Sequence, residues 1–120
     1  MRWDADIQAV YSVVDGHLED DKYMLLMEYV LELAAQKNAT RWLDNALKSR
    51  AVSPAMQEWT LKVWDPLADK IGFLKTAIIS PESTLTRLSV ERLLNRNNPK
   101  IHTETRFFKN IEDARAWLKD

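Results

Sequence analysis

Apolar and polar positions along this chain change period several times, from two to nearly four and back. The run "IQAVYSVV", Ile7 to Val14, is rich in β-branched and aromatic residues and closes on Asp15-Gly16. That composition and turn signal predict a strand with Ile7, Ala9, Tyr11 and Val13 on one face. Asp20 or Asp21 then suits the start of a helix reaching about Lys37, because an acidic first turn meets the partial positive charge of a helix N-terminus. Its apolar side holds Tyr23, Met27, Val30, Leu31 and Ala34, and its strictly polar strip little more than Glu28, Glu32 and Gln36. So narrow a strip implies neighbours on more than one flank.

"RWLD", Arg41 to Asp44, reads as a short strand, followed by a polar loop to Ser53-Pro54. Ser53 caps a second helix with Pro54 at its first position, where a missing N–H costs nothing. In that helix Glu58, Lys62, Asp65 and Asp69 share one sector of about 60°, opposite an apolar stripe of Met56, Trp59, Val63, Leu67 and Ile71 centred near Leu67. Pro66 is expected to weaken or kink it, and Gly72 offers a stop. "FLKTAIIS", Phe73 to Ser80, is a continuous apolar run, expected as the centre of a sheet covered on both faces. A helical stretch from Pro81 to about Arg96 follows, then a strand alternating from Ile101 to Phe107. Asn110, with Asp113 three residues on, caps a last helix bearing Ile111, Ala114, Trp117 and Leu118.

The order β-α-β-α-β-α-β-α argues for an α/β layer with a largely parallel sheet, since helices supply the crossovers that parallel strands require. A length of 120 residues fits one domain. Seventeen basic and eighteen acidic residues give a formal charge of −1, so the overall field favours neither nucleic acid nor an anionic membrane. The start, "MRWDADIQ", lacks the apolar core of a secretory signal, and Tyr23 to Ala35 is too short and too charged to span a bilayer. The absence of cysteine excludes thiol chemistry and fits a cytoplasmic protein.

Catalytic signatures are missing. With only Gly16 and Gly72, no nucleophile elbow, Walker loop or dinucleotide loop can be assembled. His17 beside Glu19, Asp20 and Asp21 reads as a solvated helix start rather than a metal set, and His102 as a surface or sheet-edge residue. Glu58, Asp65 and Asp69 read as a solvated helix face rather than an acid–base pair. Neither a cofactor nor a metal is expected. The candidate contact residues are those of the strand-end loop, Asp44, Asn45, Lys48, Arg50 and Ser53, because ligands in open α/β sheets bind beside strand ends and helix starts present free N–H groups. The same residues serve equally as a soluble loop with an N-cap. Trp59 and Trp64 join the candidates. They lie about 140° apart on a regular helix, so both can hardly face one sheet, and one reaches a neighbouring helix, a ligand or a second subunit. Core packing is their competing use.

The runs "KNATRWLDNALKSRAVSPAMQEW", "FLKTAIISPESTLTRLSVERLL" and "TRFFKNIEDARAWLKD" together resemble STAS-like domains, relatives of bacterial anti-sigma-factor antagonists. The last is the most telling: a strand ending in an aromatic, a short turn, then acidic-x-Ala-x-x-Trp-Leu. The resemblance runs from about Ile7 to the end. It implies a single domain over 1–120 with a four- or five-stranded mixed, largely parallel sheet and about four helices, and no enzymatic activity. The family usually has a further strand at its amino end, for which only "MRWDA" is available here. Where STAS domains carry a regulatory serine within Asp-Ser-Ser-Gly-Leu, this chain has Asp44-Asn45-Ala46-Leu47, so the phosphorylation switch does not carry over. The expected role is a regulatory or protein-interaction module with a protein partner or a second copy of itself. The alternative is a carrier of a small apolar ligand or lipid in a pocket beneath the helices.

Overall fold

The computed structural model describes residues 1–81, Leu88 and 103–120. Five strands form one sheet in chain order: β1 (Arg2–Asp4), β2 (Ala9–Gly16), β3 (Arg41–Ser49), β4 (Lys75–Ile79) and β5 (Glu104–Phe108). β1 runs antiparallel to β2, and the other three pairings are parallel. The fold is α/β with a mostly parallel mixed sheet, as the alternation of elements implies. The middle strand is β3, however, and not the apolar run of β4. The expected helix from Pro81 to about Arg96 falls outside the described residues apart from its first residue and Leu88, and so do Ile101 and His102 of the last expected strand.

Helix α1 (Asp20–Lys37) packs on one sheet face. It buries Met27, Val30, Leu31 and Ala34, four of the residues its 3.6 periodicity puts on the apolar side. Glu19, rather than Asp20 or Asp21, is its N-cap, and the helix ends where Asn38 adopts the left-handed conformation at φ 51. On the same face a continuous helical run follows β3: α2 (Pro54–Trp59), a π-helical segment (Thr60–Trp64) and α3 (Asp65–Ile71). Ser53 Oγ accepts from the Met56 N–H at 3.2 Å as its N-cap, and Gly72 at φ 102 closes it.

The π segment changes which residues face the core. Pro66 has no N–H to give to the preceding turn, and just before it the Asp65 N–H reaches back five residues to the Thr60 carbonyl. One residue is thereby added to the turn, so every later side chain slips by one helical position. Trp64 takes the place of Val63 and Ala68 that of Leu67. Accordingly Trp64 and Ala68 are buried, while Val63, Leu67 and Ile71 are 45%, 46% and 36% exposed. The stripe expected to centre on Leu67 therefore faces outward.

The opposite face is covered by α4 (Ile111–Lys119), capped by Asn110 Oδ1 accepting from the Asp113 N–H at 2.9 Å. Ala114 and Leu118 pack there with Ile7, Ala9, Leu43, Ala77 and Ile79. Arg115 ties this helix to the amino end of the chain, pairing with Asp4 and, at 2.7 Å, with Asp6. Within "MRWDA", Arg2–Asp4 form the antiparallel edge strand β1. Trp117 lies under two cations, Lys75 and Arg106, each about 5 Å from its ring.

Strand β3 extends well beyond "RWLD". Between Asn45 and Lys48 it carries one residue more than β2 does between Val13 and Asp15, a bulge within the parallel pairing. Asp44 and Asn45 are therefore mid-strand residues on opposite faces, and the expected loop after "RWLD" shrinks to Arg50–Ser53.

Candidate functional site

Between the sheet and helices α1 to α3 lies a cavity of about 520 Å³, lined from Trp42, Phe73 and Thr103 at the amino ends of the parallel strands to Ser49 and Arg50 at the carboxyl end of β3. The carboxyl-end part is where open α/β sheets place their ligands. Its apolar wall is made by Trp42, Trp64, Phe73, Met27, Ile78 and Phe107. The tryptophans and the phenylalanine lean on one another, Trp42 to Trp64 at 5.2 Å and Trp64 to Phe73 at 6.4 Å between ring centres.

The polar groups of the cavity converge from three elements. Asp44 points from β3, and its Oδ1 accepts from Ser12 Oγ at 3.1 Å; the Ser12 oxygen in turn accepts from Trp42 Nε1 at 2.9 Å. The second carboxylate oxygen of Asp44 has no partner among the described residues. Burial pushes this carboxyl up to about 6, against the lowering effect of the Ser12 hydroxyl. From the start of α3, Asp65 is likewise pushed up to about 6 by burial. Tyr23 of α1 shares a 2.8 Å hydrogen bond with Thr60 Oγ1, whose own hydroxyl reaches the Met56 carbonyl at 2.7 Å. Burial pushes the Tyr23 phenol up to about 12, and the charges of Asp44 and Asp65 push the same way. Asp44 and Asp65 are each half-buried, and among the described residues neither forms an ion pair.

Not all the sequence candidates meet here. Asp44, Arg50, Ser53 and Trp64 line the cavity. Ser53 Oγ also donates to Asp20 Oδ1 at 2.9 Å, tying the start of α2 to that of α1. Asn45 points to the other face, its amide 3.4 Å from the Tyr11 hydroxyl, and Lys48 is exposed outside the cavity. Trp64 is buried with its Nε1 donating to the Met27 carbonyl at 2.7 Å. Trp59 is part-buried, edge-on to Tyr23 at 6.2 Å. Both tryptophans thus pack within the subunit, Trp64 in the buried cluster with Trp42 of the sheet and Trp59 against Tyr23 of the neighbouring helix α1. Residues that sequence reasoning missed are Tyr23, Thr60 and Asp65. Asp65 was assigned to a solvated helix face; the one-residue slip rotates it toward the cavity. Its proximity to Pro66 was the available signal.

His17 is exposed, and no group of three or more histidines and carboxylates among the described residues is placed to hold a metal ion. No helix among the described residues is long and apolar enough to cross a membrane. Comparison of the chain with protein-family models, curated proteins and solved structures finds no match.

Proposed function

We propose that this protein is a non-enzymatic, STAS-like binding module that holds a small, largely apolar molecule in the cavity between its sheet and helices α1 to α3. The observation that carries the reading is the cavity itself: about 520 Å³, walled by aromatic side chains, with a few convergent polar groups. A void of that size costs stability unless something occupies it, since each lining atom loses packing contacts. Asp44 and Asp65 supply orientation rather than chemistry: the hydroxyl beside Asp44, that of Ser12, is fully buried and held between that carboxylate and Trp42 Nε1.

The test uses 4-phenylbutan-1-ol, 4-phenylbutanoate and 4-phenylbutylamine, three molecules with one apolar body and different heads. At least one is expected to raise the melting temperature and to change tryptophan emission, since Trp42 and Trp64 form the wall. Ala46→Phe, which fills the cavity from β3, should abolish both responses. Wild-type protein indifferent to all three would overturn the reading.

A second role is favoured by one observation. Val63, Leu67 and Ile71 form an exposed apolar row along the helix that borders the cavity. Such a row suits a protein-interaction module with a protein partner or a second copy of the chain. Sedimentation of wild type against Leu67→Glu checks the self-association form: a concentration-dependent dimer lost in the variant supports it.

A further inference from the structure

We infer that the cavity recognises its ligand as a hydrogen-bond donor: a small, largely apolar molecule whose head carries an O–H or N–H, seated on the second carboxylate oxygen of Asp44. The inference rests on the proposed binding reading and gives its ligand a chemical class.

The direction of the hydrogen bonds leads to it. An indole N–H only donates, so the 2.9 Å contact between Trp42 Nε1 and Ser12 Oγ uses the Ser12 oxygen as acceptor. The one hydroxyl proton of Ser12 is then given to Asp44 Oδ1 at 3.1 Å. Ser12 and Asp44 are register partners on adjacent strands, and Ser12 is fully buried, so this relay holds the carboxylate in place at the cavity wall. Asp44 Oδ2 has no partner among the described residues.

The same accounting applies to Tyr23. Thr60 has a single hydroxyl proton, and it goes at 2.7 Å to the Met56 carbonyl, which only accepts. In the 2.8 Å contact between Tyr23 and Thr60 the phenol is therefore the donor, and the Tyr23 oxygen keeps its capacity to accept.

Other side-chain donors around the cavity are committed to backbone carbonyls. Trp64 Nε1 donates to Met27 at 2.7 Å, Thr103 Oγ1 to Phe73 at 2.7 Å and Ser49 Oγ to Ala46 at 2.8 Å. Ionised, Asp65 of α3 adds acceptor oxygens only. The hydroxyls of Thr76 and Thr105 turn either way and set no preference. Arg50, the cation among the described lining residues, is exposed just beyond β3. A head that only accepts thus meets acceptors, and an anionic head meets like charge. An O–H or N–H head gives Asp44 a charge-assisted hydrogen bond that no described residue supplies.

Titration calorimetry on the intact protein at pH 8, where both carboxyls are ionised, tests this with 4-phenylbutan-1-ol and its methyl ether, which keeps the oxygen and loses the proton. The alcohol is expected to bind about 10-fold tighter than the ether or more, and tighter than 4-phenylbutanoate. Asp44→Asn sharpens the test. Its side-chain oxygen accepts from Ser12 as before, so its NH2 takes the place of Oδ2, a donor where an acceptor stood. The preference for the alcohol should then fall below about 3-fold while the ether still binds, which shows that the cavity is intact. Wild-type protein that binds the ether as tightly as the alcohol, or 4-phenylbutanoate more tightly, would overturn the inference and leave the binding reading standing. So would an Asp44→Asn protein that keeps the full preference. Binding of none of these probes, nor of 4-phenylbutylamine, overturns both.

Discussion

The two faces of the sheet are built from the same alternating strands, yet they pack in opposite ways. Beneath α4 the contacts are made by small or compact residues, Ala9, Ala77 and Ala114 beside Ile7, Leu43 and Leu118, all at 1% exposure or less. Alanines at facing positions let helix and sheet approach closely and leave no room for a ligand. Beneath α1 to α3 the wall is made by Trp42, Trp64 and Phe73, large rings that touch each other and arch over a cavity containing two carboxylates. One face is a tight core and the other a core interrupted by a site. A sheet can therefore carry stability on one side and binding on the other, because alternation delivers successive residues of each strand to different environments.

The largest effect that would break this contrast lies on the tight face. Leu118→Ala should cost about 3 kcal/mol in urea unfolding, since the close packing around it cannot collapse into the space left behind. A loss below about 1 kcal/mol would mean that this face is not the tighter one. Next comes the tie between α4 and β1. Arg115→Ala leaves the buried Asp4 with only the more distant Arg2, at 4.0 Å, as a cation and should cost about 2 kcal/mol at pH 7.

That second cost has a pH signature. Burial alone would raise the Asp4 carboxyl, but the hydrogen bond and charge of Arg115, with the N–H groups of Ile7 and Asp6, hold it below the usual range. A depressed carboxyl contributes stability above its unfolded pKa and loses it as pH falls through the folded one. The difference between wild type and Arg115→Ala should therefore be full at neutral pH and shrink in acid.

The cavity face predicts the reverse sign. A carboxyl raised from 3.8 to about 6 makes the folded state bind more protons than the unfolded one, so stability decreases as pH rises through this interval. Asp44→Asn keeps an oxygen to accept from Ser12 and removes the desolvated charge. It should stabilise the protein by about 1–2 kcal/mol at pH 8 and by almost nothing at pH 4. A variant destabilised equally at both values would show that Asp44 serves the fold rather than the site. The smallest effect belongs to Leu67→Gln, within about 0.5 kcal/mol, because the π segment has turned Leu67 outward. A regular α-helix would instead bury it, and the cost would be several-fold larger.

Much of this was legible in the residues. Strands β2 to β5 and the described helices between and after them, the buried side of α1, Ser53 and Asn110 as caps and Gly72 as a stop all follow from local periodicity and backbone chemistry. Three features of the site were not. Asp44-Asn45 looked like a strand end because both are polar, but pairing with β2 and a bulge carry β3 on to Ser49. Asp65 and Leu67 were placed on the wrong sides by a helical wheel that has no provision for an added residue. Tyr23 looked like one more apolar contact of α1, and only its neighbours make its hydroxyl part of the cavity.

Sequence alone thus determined the alternating α/β order, the number of strands to within one, and the exclusion of thiol and glycine-loop chemistry, since these depend on neighbours a few residues apart. Tertiary structure decided which strand is central, how far β3 extends, which way the second helix turns, and that Asp44, Asp65 and Tyr23 share one space. Those depend on hydrogen bonds and packing between residues 20 to 40 positions apart, and on a π turn beside Pro66 that rotates everything after it.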